Sequence, residues 1–226
     1  MDPDQLLLRK RIADAAVELY MQDNTPFTIN RIAARAEVRT HDVYRFYSTR
    51  DQILADFYNL MPTLFTLQVK SLEGYDQFQL ADRLSNFIFT TFDMMQEYRS
   101  FVQKTFVSLS GSDDCTPWQK GNAQVLMQIF DNDPGVSDLN RVLIPDFAYD
   151  LAADVFTQLI EIWLTDTSDG TGKTLALVEK STSFIQEVMY SDVLGKGIDL
   201  VRYVYTHVAP DHPAVQTLRK YTCSNK

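Results

Sequence analysis

The chain has 226 residues, 45% of them apolar and 12% aromatic, with 21 Lys and Arg against 30 Asp and Glu for a formal net charge of -9. Two cysteines, Cys115 and Cys223, cannot build a disulfide framework, no apolar run approaches the roughly 18 residues of a membrane span, and the apolar content excludes a disordered chain. The opening MDPDQLLLRKR sets acids ahead of bases, the wrong order for a secretory signal, so a cytoplasmic protein with no membrane partner is expected.

Leu8, Ile12, Ala15, Ala16 and Leu19 recur at helical spacing, which predicts an amphipathic helix over residues 5 to 22. Asp23-Asn24-Thr25-Pro26 ends it. Thr28 suits the N-cap of a second helix running to Arg35 or Ala36, with Phe27 and Ile32 placed as a hydrophobic staple. A turn at Glu37-Val38 leads to a short helical stretch over residues 40 to 47. Thr49 and Gln52 then form a capping box for a fourth helix carrying Ile53, Leu54, Phe57, Met61, Leu64 and Phe65. Pro62 should kink it, because proline lacks the ladder donor and clashes one turn back.

Beyond Gly74 the apolar pattern stays helical, over residues 77 to 96, 98 to 110 and 119 to 130, the last ended by Asp131-Asn132-Asp133-Pro134-Gly135. Gly111-Ser112-Asp113-Asp114 closes the helix before it. Two long amphipathic helices follow at about 146 to 165 and 173 to 192, and a last one near 198 to 208 precedes a proline-containing tail. No alternation supports a sheet, so the class is all-α.

The acid is unevenly spread. Residues 9 to 50 hold eight bases and five acids, whereas residues 59 to 226 hold 13 bases and 21 acids. A bulk negative charge repels phosphate, but a basic segment at one end of an acidic chain is a reason to look for nucleic acid there. Three short helices with a brief turn before the third describe a helix-turn-helix module, whose third helix enters the major groove. Arg39, Thr40 and His41 lie at the start of that helix, where side chains reach base edges. Tyr44, Arg45 and Arg50 lie where a hydroxyl and two guanidinium groups can hold phosphates, and Thr28 and Thr49 open helices whose free N–H groups favour an anion.

The stretches Ile12 to Tyr20, Phe27 to Ala36, Val43 to Tyr47 and Arg50 to Leu54 together resemble the DNA-binding domain of TetR-family transcriptional regulators, over residues 8 to about 58. The resemblance implies that Thr28 caps the second helix and touches phosphate, that Arg39 to His41 lie in the groove, and that Tyr44 and Arg50 hold the DNA backbone. Two positions depart from the family pattern. Its turn glycine falls on Glu37, and its small polar cap of the recognition helix falls on Arg39, which would shift capping to Thr40.

The resemblance further implies a homodimer formed through the two long helices and a helical body holding a ligand pocket. The chain accordingly divides into a helix-turn-helix DNA-binding domain, residues 1–50, and a helical ligand-binding and dimerisation domain, residues 51–226. Leu151, Val155, Leu159, Ile162 and Trp163 form one stripe and Val178, Phe184, Ile185, Val188 and Met189 another, as an antiparallel four-helix bundle across a two-fold axis needs. Burial within one protomer accounts equally well for any one of them. Phe87, Phe92, Met95, Tyr98, Phe101, Phe106, Trp118 and Met127 are the candidates to line a pocket for a small apolar effector, with plain core as the alternative.

Other readings fall away. Gly170-Thr171-Gly172-Lys173-Thr174 imitates the end of a phosphate-binding loop, but its first glycine would be Thr167 and a helix precedes it. His41, His207 and His212 are too scattered for a metal site in one segment, and no nucleophile and base stand together. No enzyme, metal or cofactor is expected. The expected function is a ligand-responsive regulator, a repressor that binds a palindromic double-stranded operator as a homodimer. The rival is a helical carrier of a lipid or other apolar molecule that does not read DNA, favoured by the acidic body and Glu37 and opposed by Tyr44, Arg45 and Arg50 at phosphate-contact positions.

Overall fold

The computed structural model describes residues 2–22, 28–110, 116–203 and 207. These residues form helices and connecting turns with no strand among them, so the fold is all-α. The predicted stop at residues 23–26, the staple residue Phe27, the turn at 111–114, both cysteines, His212 and the tail lie outside them.

Helix α1 spans Pro3–Gln22, α2 Ile29–Arg35 and α3 Thr40–Tyr44. They close on Ile12, Ala16, Val17, Ile32, Ala33, Val43 and Tyr47, all buried. Helix α4, Arg50–Asn59, begins at the predicted capping box: the Thr49 side chain accepts from Gln52 N and the Gln52 side chain reaches back to the cap. Pro62 divides the long fourth helix of the sequence into α4 and α5, Met61–Val69, with Leu60 between them. Gly121 lies against the kink, since a Cβ there would sit 2.9 Å from Pro62 Cγ.

The body continues through α6, Leu80–Gln96, α7, Arg99–Ser110, and α8, Pro117–Asp131. A short helix α9, Asp138–Leu143, follows, which the sequence did not announce; Ser137 caps it by accepting from Asn140 N. Helices α10, Asp146–Thr165, and α11, Gly172–Tyr190, are the two long ones, and α12, Val193–Tyr203, begins about five residues before the expected start. The Gly170-Thr171-Gly172 turn joins helix to helix, with Gly170 and Thr171 both left-handed at φ 56°.

Aromatic rings run through the body as a chain of contacts. Tyr58 of α4 stacks on Phe101 of α7 at 6.0 Å, Trp118 of α8 stacks on Phe156 of α10 at 6.0 Å, and Phe87 of α6 meets Phe156 at 4.7 Å and Phe65 of α5 at 4.9 Å. Buried hydroxyls and the indole N–H are paired: Tyr58 Oη and Thr105 Oγ1 share a bond of 2.8 Å, and Trp118 Nε1 donates to Thr157 Oγ1 at 3.0 Å. Fully buried aromatic side chains each contribute about 2 to 3 kcal/mol by removal from water. Helix α4 takes part on both sides, tied to α1 through Asp56 and Arg9 and meeting α7 through Phe57 and Tyr58.

The end of the body farthest along the chain is knotted by polar groups. Arg83, 4% exposed, donates to the carbonyls of Phe78, Asn132 and Asp76 and lies 3.7 Å from Asp133, which is wholly buried. The Tyr190 hydroxyl donates to Asp133 Oδ1 at 2.8 Å and accepts from Leu80 N at 3.1 Å. Asn140 Nδ2 donates to the carbonyls of Met189 and Ser191. Only glycine fits at 135, where a Cβ would lie 2.3 Å from Tyr190 Cζ.

Candidate nucleic-acid interface

The start of α2, the end of α3 and the start of α4 converge on one notch of about 380 Å3, lined by Thr28, Ile29, Asn30, Tyr44, Ser48, Thr49, Arg50 and Asp51. Thr28 accepts from Arg31 N at 3.4 Å as the N-cap of α2. Thr49 caps α4 in the same way, so two helix starts, each with N–H groups lacking partners in their own helix, open on one concave surface. Tyr44 is 56% exposed beside them, although Val43 before it is fully buried and Tyr47 after it nearly so. This alternation on α3 fixes the helix by its apolar side and leaves Tyr44 outward.

The structure brings Thr28, Tyr44 and Arg50 together at this notch, with Asn30, Ser48 and Asp51, which the sequence reading did not single out. Asn30 and Ser48 carry no motif of their own; their signal is adjacency to the two caps. Arg39, His41 and Arg45 are exposed and Thr40 half-buried along α3, outside the notch. Arg45 lies with its guanidinium 5.8 Å over the Phe46 ring.

One detail differs from expectation. Capping does not pass to Thr40: Arg39 occupies the N-cap position with no side-chain cap bond, because its guanidinium turns to Asp42, with Nε donating at 2.9 Å and Nη2 at 3.2 Å. That hydrogen bond holds the Asp42 carboxyl below the usual carboxylate range. Glu37 adopts φ 54°, the left-handed conformation that glycine takes freely and that strains a residue with a Cβ.

Behind the notch, Arg9 of α1 grips Asp56 of α4, and the Tyr47 hydroxyl also donates to Asp56. Burial, with the Asp56 charge second, pushes the Tyr47 phenol far above its ordinary range. Arg35 is tied to Glu18 at 2.5 Å, joining α2 to α1.

In the body, the aromatic candidates separate. Phe87, Met95, Phe101, Phe106 and Trp118 pack as core, apart from the two body cavities that Phe92 and Tyr98 line. Phe92 lines a cleft of about 1090 Å3 between α6 and α11, and Tyr98 a small pocket of about 120 Å3 beside α1 and α4. Met127 is half-buried against the core. The first five thus take the plain-core alternative, which the sequence could not separate from pocket wall because both call for large apolar residues at helical spacing. The residues that frame the large cleft with Phe92, among them Phe89, Asp93, Arg99 and Glu179, come from segments far apart in sequence.

The proposed interface stripe also divides. Leu151, Val155 and Ile162 of α10 are exposed, in line with exposed Phe147, and Leu159 and Ile185 are half-buried. Trp163, Val178 and Met189 belong to the protomer's own core, at 3%, 0% and 5% exposure, which is the alternative the sequence left open. Of the α11 stripe Phe184 is exposed, and Leu175 and Leu177 are further outward apolar residues of that helix. No helix of the described residues is long and apolar enough to cross a membrane.

A family model described as tetracyclin repressor-like, C-terminal domain, matches residues 83–204, just over half of the chain. Among solved structures, the crystal structure of the TetR transcriptional regulator from Nitrosomonas europaea ATCC 19718 is similar at a TM-score of 0.55, covering 81% of this chain and 98% of that one. Sequence identity to it is 15%, so this likeness is one of fold. No curated protein matches the sequence.

Proposed function

The chain belongs to the TetR family of transcriptional regulators, and from that premise we propose that it is a cytoplasmic, ligand-responsive repressor that reads a palindromic operator as a homodimer. Residues 1–50 serve as the DNA-reading domain and 51–226 as the ligand-binding and dimerisation domain. The observation that carries the reading is the convergence of Thr28, Tyr44, Thr49 and Arg50 on one exposed notch. Its helix starts and hydroxyl groups suit a phosphate oxygen, and the guanidinium of Arg50 adds charge. With that notch on the DNA backbone, the exposed start of α3 is left to face base edges through Arg39, Thr40 and His41.

The dimer follows from the uncovered apolar line of Phe147, Leu151, Val155 and Ile162 on α10 and of Leu177 and Phe184 on α11. Large exposed apolar side chains on two long helices favour a partner, and a second copy supplies the same surface by symmetry. Effector binding acts by favouring one spacing of the two reading heads over another, and the preference must amount to a few kcal/mol to move the equilibrium. The α4–α5 break at Leu60 and Pro62 is the proposed transmitter, because α4 touches both the reading module and the body. Pro62→Ala should then uncouple effector binding from release of DNA; unchanged release removes this role.

Selection of bound fragments from random duplex DNA, repeated at two salt concentrations, tests the whole reading. A palindromic consensus with salt-sensitive affinity is expected. A folded, dimeric protein that enriches nothing even at low salt defeats it in favour of the carrier.

A further inference from the structure

We propose that the cleft between α6 and α11 binds an amphipathic organic cation. Its volume of about 1090 Å3 suits a drug-sized molecule. One wall is apolar: Phe89, Phe92, Trp163 and Leu175. Phe92 and Trp163 stack face to face, with centroids 4.7 Å apart and planes at 6°, so this wall is preset. Phe89 is half-buried and Leu175 exposed, which leaves both available to a bound molecule.

The charges on the rim decide what that molecule is. Asp93 on α6 and Glu179 on α11 are exposed, and neither has an ion-pair partner among the described residues. Asp166 is already satisfied, with one oxygen accepting from Ser168 N and Oγ and the other from Thr174 N and Oγ1. Arg99 is the base among the lining residues, and its charge is directed elsewhere. Its Nη2 donates to the carbonyls of Trp163 and Leu164 at the end of α10, its Nη1 donates to Gln96, and its guanidinium lies 4.3 Å over the Trp163 ring.

Three ligand types can be compared on these terms. An anion would meet Asp93 and Glu179 with no base free to answer it. A neutral apolar molecule would cover the wall but take water from two carboxylates without replacing it. A cation with an apolar body satisfies wall and rim together, through apolar contact, attraction to the carboxylates and the faces or edges of nearby rings. A bare metal ion fits poorly, since hard cations need six or more oxygen ligands and this cleft is half hydrocarbon.

This inference gives the effector a chemical class, and for its regulatory consequence it rests on the proposed ligand-responsive function. The binding itself is separable from DNA. Calorimetry of the full chain without DNA, using tetraphenylphosphonium and the nearly isosteric tetraphenylborate, reads the sign of charge at constant shape. The phosphonium should bind at least about tenfold more tightly than the borate. The double substitution Asp93→Asn and Glu179→Gln, both on exposed residues, should weaken phosphonium binding about tenfold and narrow the gap between the ions. Leu175→Arg, which puts a cation into the cleft, should do the same. Equal affinity for the two ions, no phosphonium binding at about 1 mM, or unchanged affinity in the folded variants would overturn the proposal. A protein that fails to read DNA but binds phosphonium would defeat the proposed function and leave this site standing.

Discussion

Arg9 and Asp56, 47 positions apart, meet in a two-pronged ion pair, with Nε donating to Oδ2 at 2.9 Å and Nη2 to Oδ1 at 2.6 Å. Asp56 is 4% exposed and its remaining capacity goes to the Tyr47 hydroxyl. One carboxylate therefore ties α1, the segment that follows α3, and α4. Removing one partner of a buried pair leaves a charge without compensation, so Asp56→Asn should lower stability by about 3 kcal/mol. Tyr47→Phe should cost about 1 kcal/mol. Urea denaturation of the two variants checks the order, and an equal or reversed cost would deny Asp56 its central place.

At Glu37 the chain holds a carboxylate in the left-handed region, at φ 54°. Replacement by glycine relieves that strain, so Glu37→Gly should raise stability by about 1 kcal/mol. It also removes a negative charge near the proposed DNA face, and tighter operator binding is expected. Thermal denaturation and a DNA titration read the two effects separately.

The notch and the α3 start should respond differently to loss of charge. Arg50→Ala should weaken binding about equally across DNA sequences and reduce the salt slope by about 1. Arg39→Ala should relax preference at one base position, a loss of about 1 to 3 kcal/mol for the correct base. Since Arg39 is held by Asp42 in the free protein, Asp42→Asn should ease its turn toward DNA and strengthen binding. Affinities measured across a panel of single-base variants distinguish the two classes.

Self-association should depend on the outer face of α10 and α11 and not on their inner one. Leu151→Asp or Phe184→Asp should weaken the dimer by at least about a hundredfold, because each is lost twice across a two-fold axis. Val178→Asp should unfold the protomer, since that side chain is fully buried. Analytical ultracentrifugation beside circular dichroism separates folded monomer from unfolded chain.

Alkaline pH should loosen the contact between α4 and α7. Burial pushes the Tyr98 phenol up to about 12, with the nearby charges of Asp14, Glu97 and Glu18 adding to it. A raised folded value means that the neutral phenol is favoured by folding. Its contribution is thus complete below the ordinary value of about 10 and is lost as pH climbs toward 12. Tyr98→Phe should make the urea midpoint fall less steeply over that interval.

Helix positions were legible wherever a local rule applied. The caps at Thr28 and Thr49 and the break at Pro62 were each readable from a few adjacent residues, because those rules involve the backbone within one turn. Helix α9 escaped because six residues are too few for a period to show, and Asn140 there points inward at the end of α11. The cleft was missed for a related reason: Phe89, Arg99, Trp163 and Glu179 meet only after α6, α7, α10 and α11 have packed. Val178 and Leu151 are alike as apolar helical residues, and only the fold separates the one that faces inward from the one left uncovered.

Gly135 and Tyr190 set where the body can yield. The ring that presses on Gly135 also carries the hydroxyl that joins Leu80 to Asp133, so the start of α6, the turn after α8 and the end of α11 share one fastening. Elements fastened together in this way move as one piece or not at all. Any adjustment between the body and the N-terminal helices must then be taken up elsewhere, at the α4–α5 break, where Pro62 has no N–H to give the helix. A substitution as small as Gly135→Ala would loosen the fixed end, and the molecule would lose the stiffness against which that hinge works.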